Sequence, residues 1–187
     1  PAPTVTYQPK FPVADNDFLK LIAILRAAVP YTGMIISTRE RAELRQRAFQ
    51  LGISQSSAGS VTTIGGYGQK INQPQFNIQD ERPLAVVVRD IINDKLLPSF
   101  CTACYRRGRT GAEFMELAQP GEIHHFCRPN GLLTFAEYLE DFATDGIYEK
   151  GWQLIGFYLN KIENRQLQQQ TGERLGQIKQ GVRDLFF

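Results

Sequence analysis

Gly33-Met-Ile-Ile-Ser37-Thr-Arg-Glu40 passes from a short apolar run straight into a helix-start pattern. Residues 33–37 have strand character, and Ser37-x-x-Glu40 matches a capping box. The helix that this box predicts runs to about Leu51, with Leu44 and Ala48 on its inner face and Gly52 at its end. Upstream, Phe18, Leu21, Ile22, Leu25 and Val29 recur at helical spacing between a capping Asp15 and Pro30. Downstream, Ile53 to Ser57 reads as a second strand, and a Gly/Ser/Thr/Gln-rich loop follows from Gly59 to about Gln79. Asp80 and Pro83 then open a helix whose buried stripe is Leu84, Val87, Val88, Ile91 and Ile92. Leu97-Pro-Ser-Phe100 is a third strand candidate leading into Cys101. Alternating helices and strands imply parallel strands with helical crossovers, so the fold class is α/β. From Thr110 onward the pattern is helical, with a capping box at Thr134-Phe-Ala-Glu137 and helical periodicity over 147–169 and 171–182. The expected division is a strand–helix part, 1–100, and a mostly helical part, 101–187.

The 187 residues are 42% apolar and 21% charged, the composition of an ordinary globular chain. Lys plus Arg number 21 against 19 Asp plus Glu, a net charge of +2. That balance is too weak to suggest a nucleic-acid partner. The most apolar stretch, Phe18 to Val29, is interrupted by Lys20 and Arg26, so no membrane span is expected. No secretory leader is evident. Three cysteines are too few for a disulfide scaffold and point to a reducing, cytoplasmic setting. The prolines at 1, 3, 9 and 12 make the first residues an extended lead-in.

All three cysteines fall in one pattern, Cys101-Thr-Ala-Cys104 with Cys127, or C-x2-C-x22-C. Two thiolates three positions apart can share a metal centre, and a third from a separate segment can close it. Three readings stand side by side: unrelated buried thiols, zinc on three cysteines with His124 or His125, and an iron–sulfur cluster with three protein ligands. The cluster would leave one iron without a cysteine. Arg106, Arg107 and Arg109 follow the pair directly and could offset an anionic centre, or form a solvated basic loop. A zinc-binding module contacting an acidic partner is the alternative function.

Arg39 has no capping role and lies just past a strand end, where α/β barrels build their sites. Its guanidinium could hold a substrate carboxylate by two parallel hydrogen bonds. Ser57 occupies the analogous place after the next strand. Gly65-Gly66-Tyr67-Gly68 matches no phosphate-cradling pattern.

Tyr31-Thr-Gly-Met34, Ser37-Thr-Arg-Glu40, Ser57-Ala-Gly-Ser60 and Gln75-Phe76 with Asp80 and Arg82 resemble the tyrosine-lyase branch of radical S-adenosylmethionine (SAM) enzymes. Ser99-Phe-Cys-Thr-Ala-Cys-Tyr-Arg106, Gly108-Arg-Thr-Gly111, Phe114-Met115, Leu132-Leu-Thr-Phe135, Glu137-Tyr-Leu139 and Arg183-Asp-Leu-Phe186 narrow the resemblance to the [FeFe]-hydrogenase maturases of that branch. The resemblance implies a radical-SAM (βα) barrel, cleavage of the tyrosine Cα–Cβ bond with release of p-cresol, and conversion of the remainder to CO and cyanide. These would build an iron carbonyl–cyanide precursor of the hydrogenase H-cluster. It implies that Cys101, Cys104 and Cys127 hold an auxiliary [4Fe-4S] cluster, with a possible extra iron, and that Ser37 and Arg39 meet the substrate. Tyrosine, S-adenosylmethionine and the hydrogenase maturation machinery are the implied partners.

The C-x3-C-x2-C motif that such enzymes use for a second [4Fe-4S] cluster is absent from these residues. Three strand–helix units are also too few to close an eight-stranded barrel of about 250 residues. The expectation is the rear portion of a longer protein, inactive alone. Its unpaired strand edges favour self-association or a partner fragment.

Overall fold

The computed structural model describes residues 10–63, 65–66 and 76–187. Tyr67, Gly68 and Gln75, and the prolines at 1, 3 and 9, lie outside the described residues. The chain forms two compact units, Pro1–Val87 and Val88–Phe187. Among the described residues it is mostly helical, with eight α-helices and two short strands.

In the first unit, α1 (Asp15–Ala28) leads to β1 (Ile35–Ile36), α2 (Ala42–Gln50) and β2 (Gln55–Ser56). The two strands are parallel, with Ile35 opposite Gln55 and Ile36 opposite Ser56, and α2 is their crossover. Both expected strands and their direction are therefore present, though each is only two residues long. Leu19, Ile22, Ile36, Leu44, Ala48 and Ile53 form the core. The face of α1 is rotated from the expected stripe. Leu19 and Ile22 are buried, whereas Leu21 and Leu25 are exposed, because α1 packs against α2 along its other edge. Asp15 is the first residue of α1 rather than its cap, and its carboxylate pairs with Arg41.

The 37–40 capping box does not form. Residues 38–40 make a turn, α2 starts at Ala42, and Ser37 Oγ accepts instead from the Arg39 amide at 3.3 Å. Gly52 does end α2, at φ +105°, and its carbonyl accepts two hydrogen bonds from Arg26, at 3.0 and 2.7 Å.

α3 (Leu84–Asn93) is the expected helix, but it begins directly after Pro83, and Asp80 does not cap it because its carboxylate accepts from Arg45 and Arg82. Val87, Val88 and Ile92 are buried, Ile91 is half-buried and Leu84 is exposed. Residues 97–100 are not a strand. Their donors turn to a helix: Phe100 N–H donates to Thr134 Oγ1 at 3.2 Å. Leu97 and Ser99 lie against Gly131 of that helix, where a Cβ would be in ordinary contact with them at 3.5 Å.

The second unit continues with α4 (Ala103–Arg106), α5 (Gly111–Ala118), α6 (His124–Phe142), α7 (Asp145–Leu159) and α8 (Arg165–Lys179). α6 is its spine, with Leu132, Leu133, Phe135, Ala136 and Leu139 nearly inaccessible. The expected box at 134–137 falls inside α6 and caps nothing. Thr134 Oγ1 donates back to the Asn130 carbonyl at 3.0 Å, and Glu137 serves another segment. The single periodic run 147–169 is divided after Leu159, and α8 is capped by Asn164, whose Oδ1 accepts from the Leu167 amide at 3.0 Å.

Candidate functional site

The first unit gathers its polar groups at the ends of the two strands. Ile36 and Ser56 pair in register, so Ser37 and Ser57 follow at neighbouring positions on adjacent strands. Beneath them lies Arg45, 1% exposed on α2. Its guanidinium pairs with Asp80 and donates to Ser56 Oγ and the Ser57 carbonyl. Asp80 also accepts from Arg82, through Nε at 2.7 Å, Nη2 at 2.7 Å and the backbone amide at 3.2 Å. The Thr38 carbonyl takes the amides of Gln79 and Asp80, at 3.0 and 3.1 Å. Arg45 and Asp80 therefore tie the end of β2 to the 79–82 segment, and the Thr38 carbonyl ties the chain after β1 to it.

Burial alone would raise the Asp80 carboxyl, but the hydrogen bonds from Arg82 and the charges of both arginines hold it down to about 2. Burial pushes Arg45 below the usual guanidinium range, opposed by Asp80. Arg39 stands apart from these residues, with its guanidinium over the Phe76 ring, 4.0 Å from the centroid.

The sequence reading placed Ser37, Arg39 and Ser57 here but not Arg45. Arg45 sits beside Leu44 on the inner face of α2, and an arginine at such a position carries no local sign that a carboxylate 35 residues away will meet it.

The second unit presents the three cysteines, all free. Cys101 and Cys104 flank the start of α4, and Cys127 lies in the first turn of α6. Cys101 Sγ accepts the Ala103 amide at 3.4 Å, as a thiolate in a metal-binding turn does. Burial pushes the Cys101 thiol up, and the Cys104 thiolate adds to that. Cys127 is exposed, yet desolvation by surrounding atoms and then the Cys104 and Cys101 charges push its thiol up to about 11. Arg109 opposes the rise at both Cys101 and Cys127. The three thiols thus lie within one another's fields. Among the described residues, however, no three His, Cys, Asp or Glu side chains are drawn together tightly enough to hold a metal ion.

The histidines do not join them. Both are exposed in the first turn of α6; His125 pairs with Glu122 at 3.1 Å and lines a 340 Å³ cavity with Phe126, Asn164 and Phe187. The three arginines are not solvated alone: Arg106 and Arg107 are exposed and Arg109 is half-buried, and each meets the chain's last residues. They are overlaid by the chain's last residues: Arg106 forms a two-bond pair with Asp184, and Arg109 Nη2 donates to the Phe187 carbonyl at 2.9 Å. That overlay is the feature the sequence did not disclose, because it joins positions 78 residues apart.

Arg109, whose amide donates to the Cys104 carbonyl at 2.9 Å, has a buried Nε without an acceptor among the described residues, a donor that an anionic cluster on the three cysteines would satisfy.

Comparison with known proteins finds a family model and solved structures that match. The Biotin and Thiamin Synthesis associated domain matches residues 6–96. A crystal structure of HydG, a maturase of the [FeFe]-hydrogenase, superposes with a TM-score of 0.91 at 46% identity. That match covers 99% of this chain and 41% of the HydG chain, so the chain spans well under half of that protein's length. No curated protein matches.

Proposed function

We propose, from a likeness to HydG that runs along nearly the whole chain, that these residues are the C-terminal portion of a radical-SAM tyrosine lyase serving [FeFe]-hydrogenase maturation. The parent protein would make CO and cyanide from tyrosine for an iron carbonyl–cyanide precursor. In this reading residues 1–100 supply the last strand–helix units of the barrel, and 101–187 form the auxiliary-cluster domain. The observation that carries it is the coincidence of that likeness, over 99% of the chain, with a C-x2-C-x22-C set of three free thiols.

Cys101, Cys104 and Cys127 would hold the cluster, which supplies an iron lacking a cysteine ligand and open to small exogenous ligands. The chain's own part is to set the thiols. The Ala103 amide orients Cys101 Sγ, and the 99–101 segment is fixed on α6 through Thr134. At the strand ends, Ser37, Arg39 and Ser57 would meet the amino-acid substrate. Arg45, Asp80 and Arg82 hold the backbone beneath them.

Anaerobic reconstitution with iron and sulfide tests the cluster. The chain is expected to turn brown and bind about four irons. C101S, C104S and C127S variants should each lose most of that iron. A colourless chain with one zinc would refute the reading. The full-length protein should release p-cresol from tyrosine and S-adenosylmethionine, and these 187 residues alone should release none.

A further inference from the structure

The three arginines after the CxxC pair share one short motif but not one environment. Arg106 and Arg107 are exposed, and both lie over the Phe186 ring, at 4.3 and 5.1 Å. Arg109 is half-buried and touches every segment that carries a cysteine. Its amide donates to the Cys104 carbonyl at 2.9 Å, and its guanidinium lies over the ring of Phe126, the residue before Cys127, at 4.2 Å. Its Nη2 is spent on Phe187, while its Nε–H has no acceptor among the described residues. A buried donor left unpaired is uncommon, because desolvating it costs free energy that nothing returns.

The partner that fixes Arg109 is itself fixed. Asn130, 1% exposed in α6, accepts the Phe187 amide at 2.7 Å and donates to its carbonyl at 3.3 Å. Glu137 accepts the amides of Asp184 and Leu185, at 2.6 and 3.4 Å, and Arg183 grips Asp141. Residues 183–187 are a strap tied to α6 along its length, and Arg109 is clamped between that strap and Phe126.

We infer that Arg109 is a positioning residue for the three-thiol site, held by the 183–187 strap so that its free Nε–H donates to sulfur of the bound cluster. This rests on the cluster reading above. A guanidinium there offsets the negative charge that thiolates and sulfides accumulate, and it favours the more negative, reduced state of the centre.

The test uses the chain reconstituted anaerobically with iron and sulfide, in wild-type, R109Q and R109K forms. Three quantities are read: the melting curve by circular dichroism, the iron retained after a chelator challenge, and the midpoint potential followed by electron paramagnetic resonance. R109Q is expected to retain at least threefold less iron and to shift the potential negative. R109K, which keeps the charge but loses the stacked fork, is expected to hold the wild-type potential with intermediate iron retention. If wild type loads iron and R109Q matches it in retention and potential, the proposal is overturned while the cluster reading stands. If R109Q fails to fold, R109K decides: reduced retention at an unchanged potential supports the proposal, and wild-type retention overturns it. A wild-type chain that takes up no iron overturns the cluster reading and this inference with it.

Discussion

Arg45 and Asp80 are the residues on which the first unit is most exposed to a single substitution. Both side chains are 1% accessible, and Asp80 is shared with Arg82. Asp80→Asn leaves the Arg45 charge buried against a neutral amide, and we expect a loss of about 3–5 kcal/mol in denaturant unfolding. Arg45→Met should cost less, because Asp80 keeps Arg82 and the methionine fills the space. The pH response follows from the same carboxylate. Its folded value is about 2 against an ordinary 3.8, so the stability it confers is complete above the ordinary value. That stability is lost as pH falls from 3.8 through about 2. Thermal melts stepped through this window should drop steeply for the wild type and only shallowly for D80N. A wild-type melting point flat across it would contradict the assignment.

At the scale of elements, α6 and α7 meet where Gly151 faces Leu139. A Cβ built at Gly151 would lie 2.5 and 2.6 Å from the two Leu139 methyls, in a side chain only 1% exposed. Gly151→Ala should therefore lose about 1–2 kcal/mol despite the better helix propensity of alanine. Gly156→Ala, one helix position with nothing within 4 Å, should instead gain about 0.5–1 kcal/mol. Chemical denaturation of the two variants separates overlap from propensity. The elements also show what sequence pattern can and cannot convey. The parallel β1–α2–β2 unit was legible, because apolar runs, helical spacing and Gly52 all agree locally. The two capping boxes misled because Ser and Thr hydroxyls have other local acceptors and donors to choose from, and at 37 and 134 they take them. Among candidate site residues, the cysteines are picked out by their spacing, and their metal-binding role stands as proposed above. Arg45, Asn130 and Glu137 are not picked out in this way, since each acts on a partner 35 or more residues away.

For the whole molecule, the outward face of α1 is the telling surface. Leu21, Ile24 and Leu25 are 49%, 64% and 44% exposed, and Ile35 is 72% exposed on β1. Among the described residues, β1 and β2 pair only with each other, which leaves both outer edges open. We expect these residues to self-associate, with light scattering giving a mass above 21.2 kDa that falls toward it in an Ile24→Glu, Leu25→Glu variant. A monodisperse wild-type monomer would count against an uncovered face. No helix among the described residues is long and apolar enough to cross a membrane. The strap has a consequence in time as well as in space. Translation produces Cys101, Cys104 and Cys127 well before residues 183–187 exist, so during synthesis the thiols stand without the clamp that fixes Arg109 beside them. If the proposed cluster were loaded on the nascent chain, it would meet a looser trap than one loaded after release from the ribosome, because the fastening arrives so late.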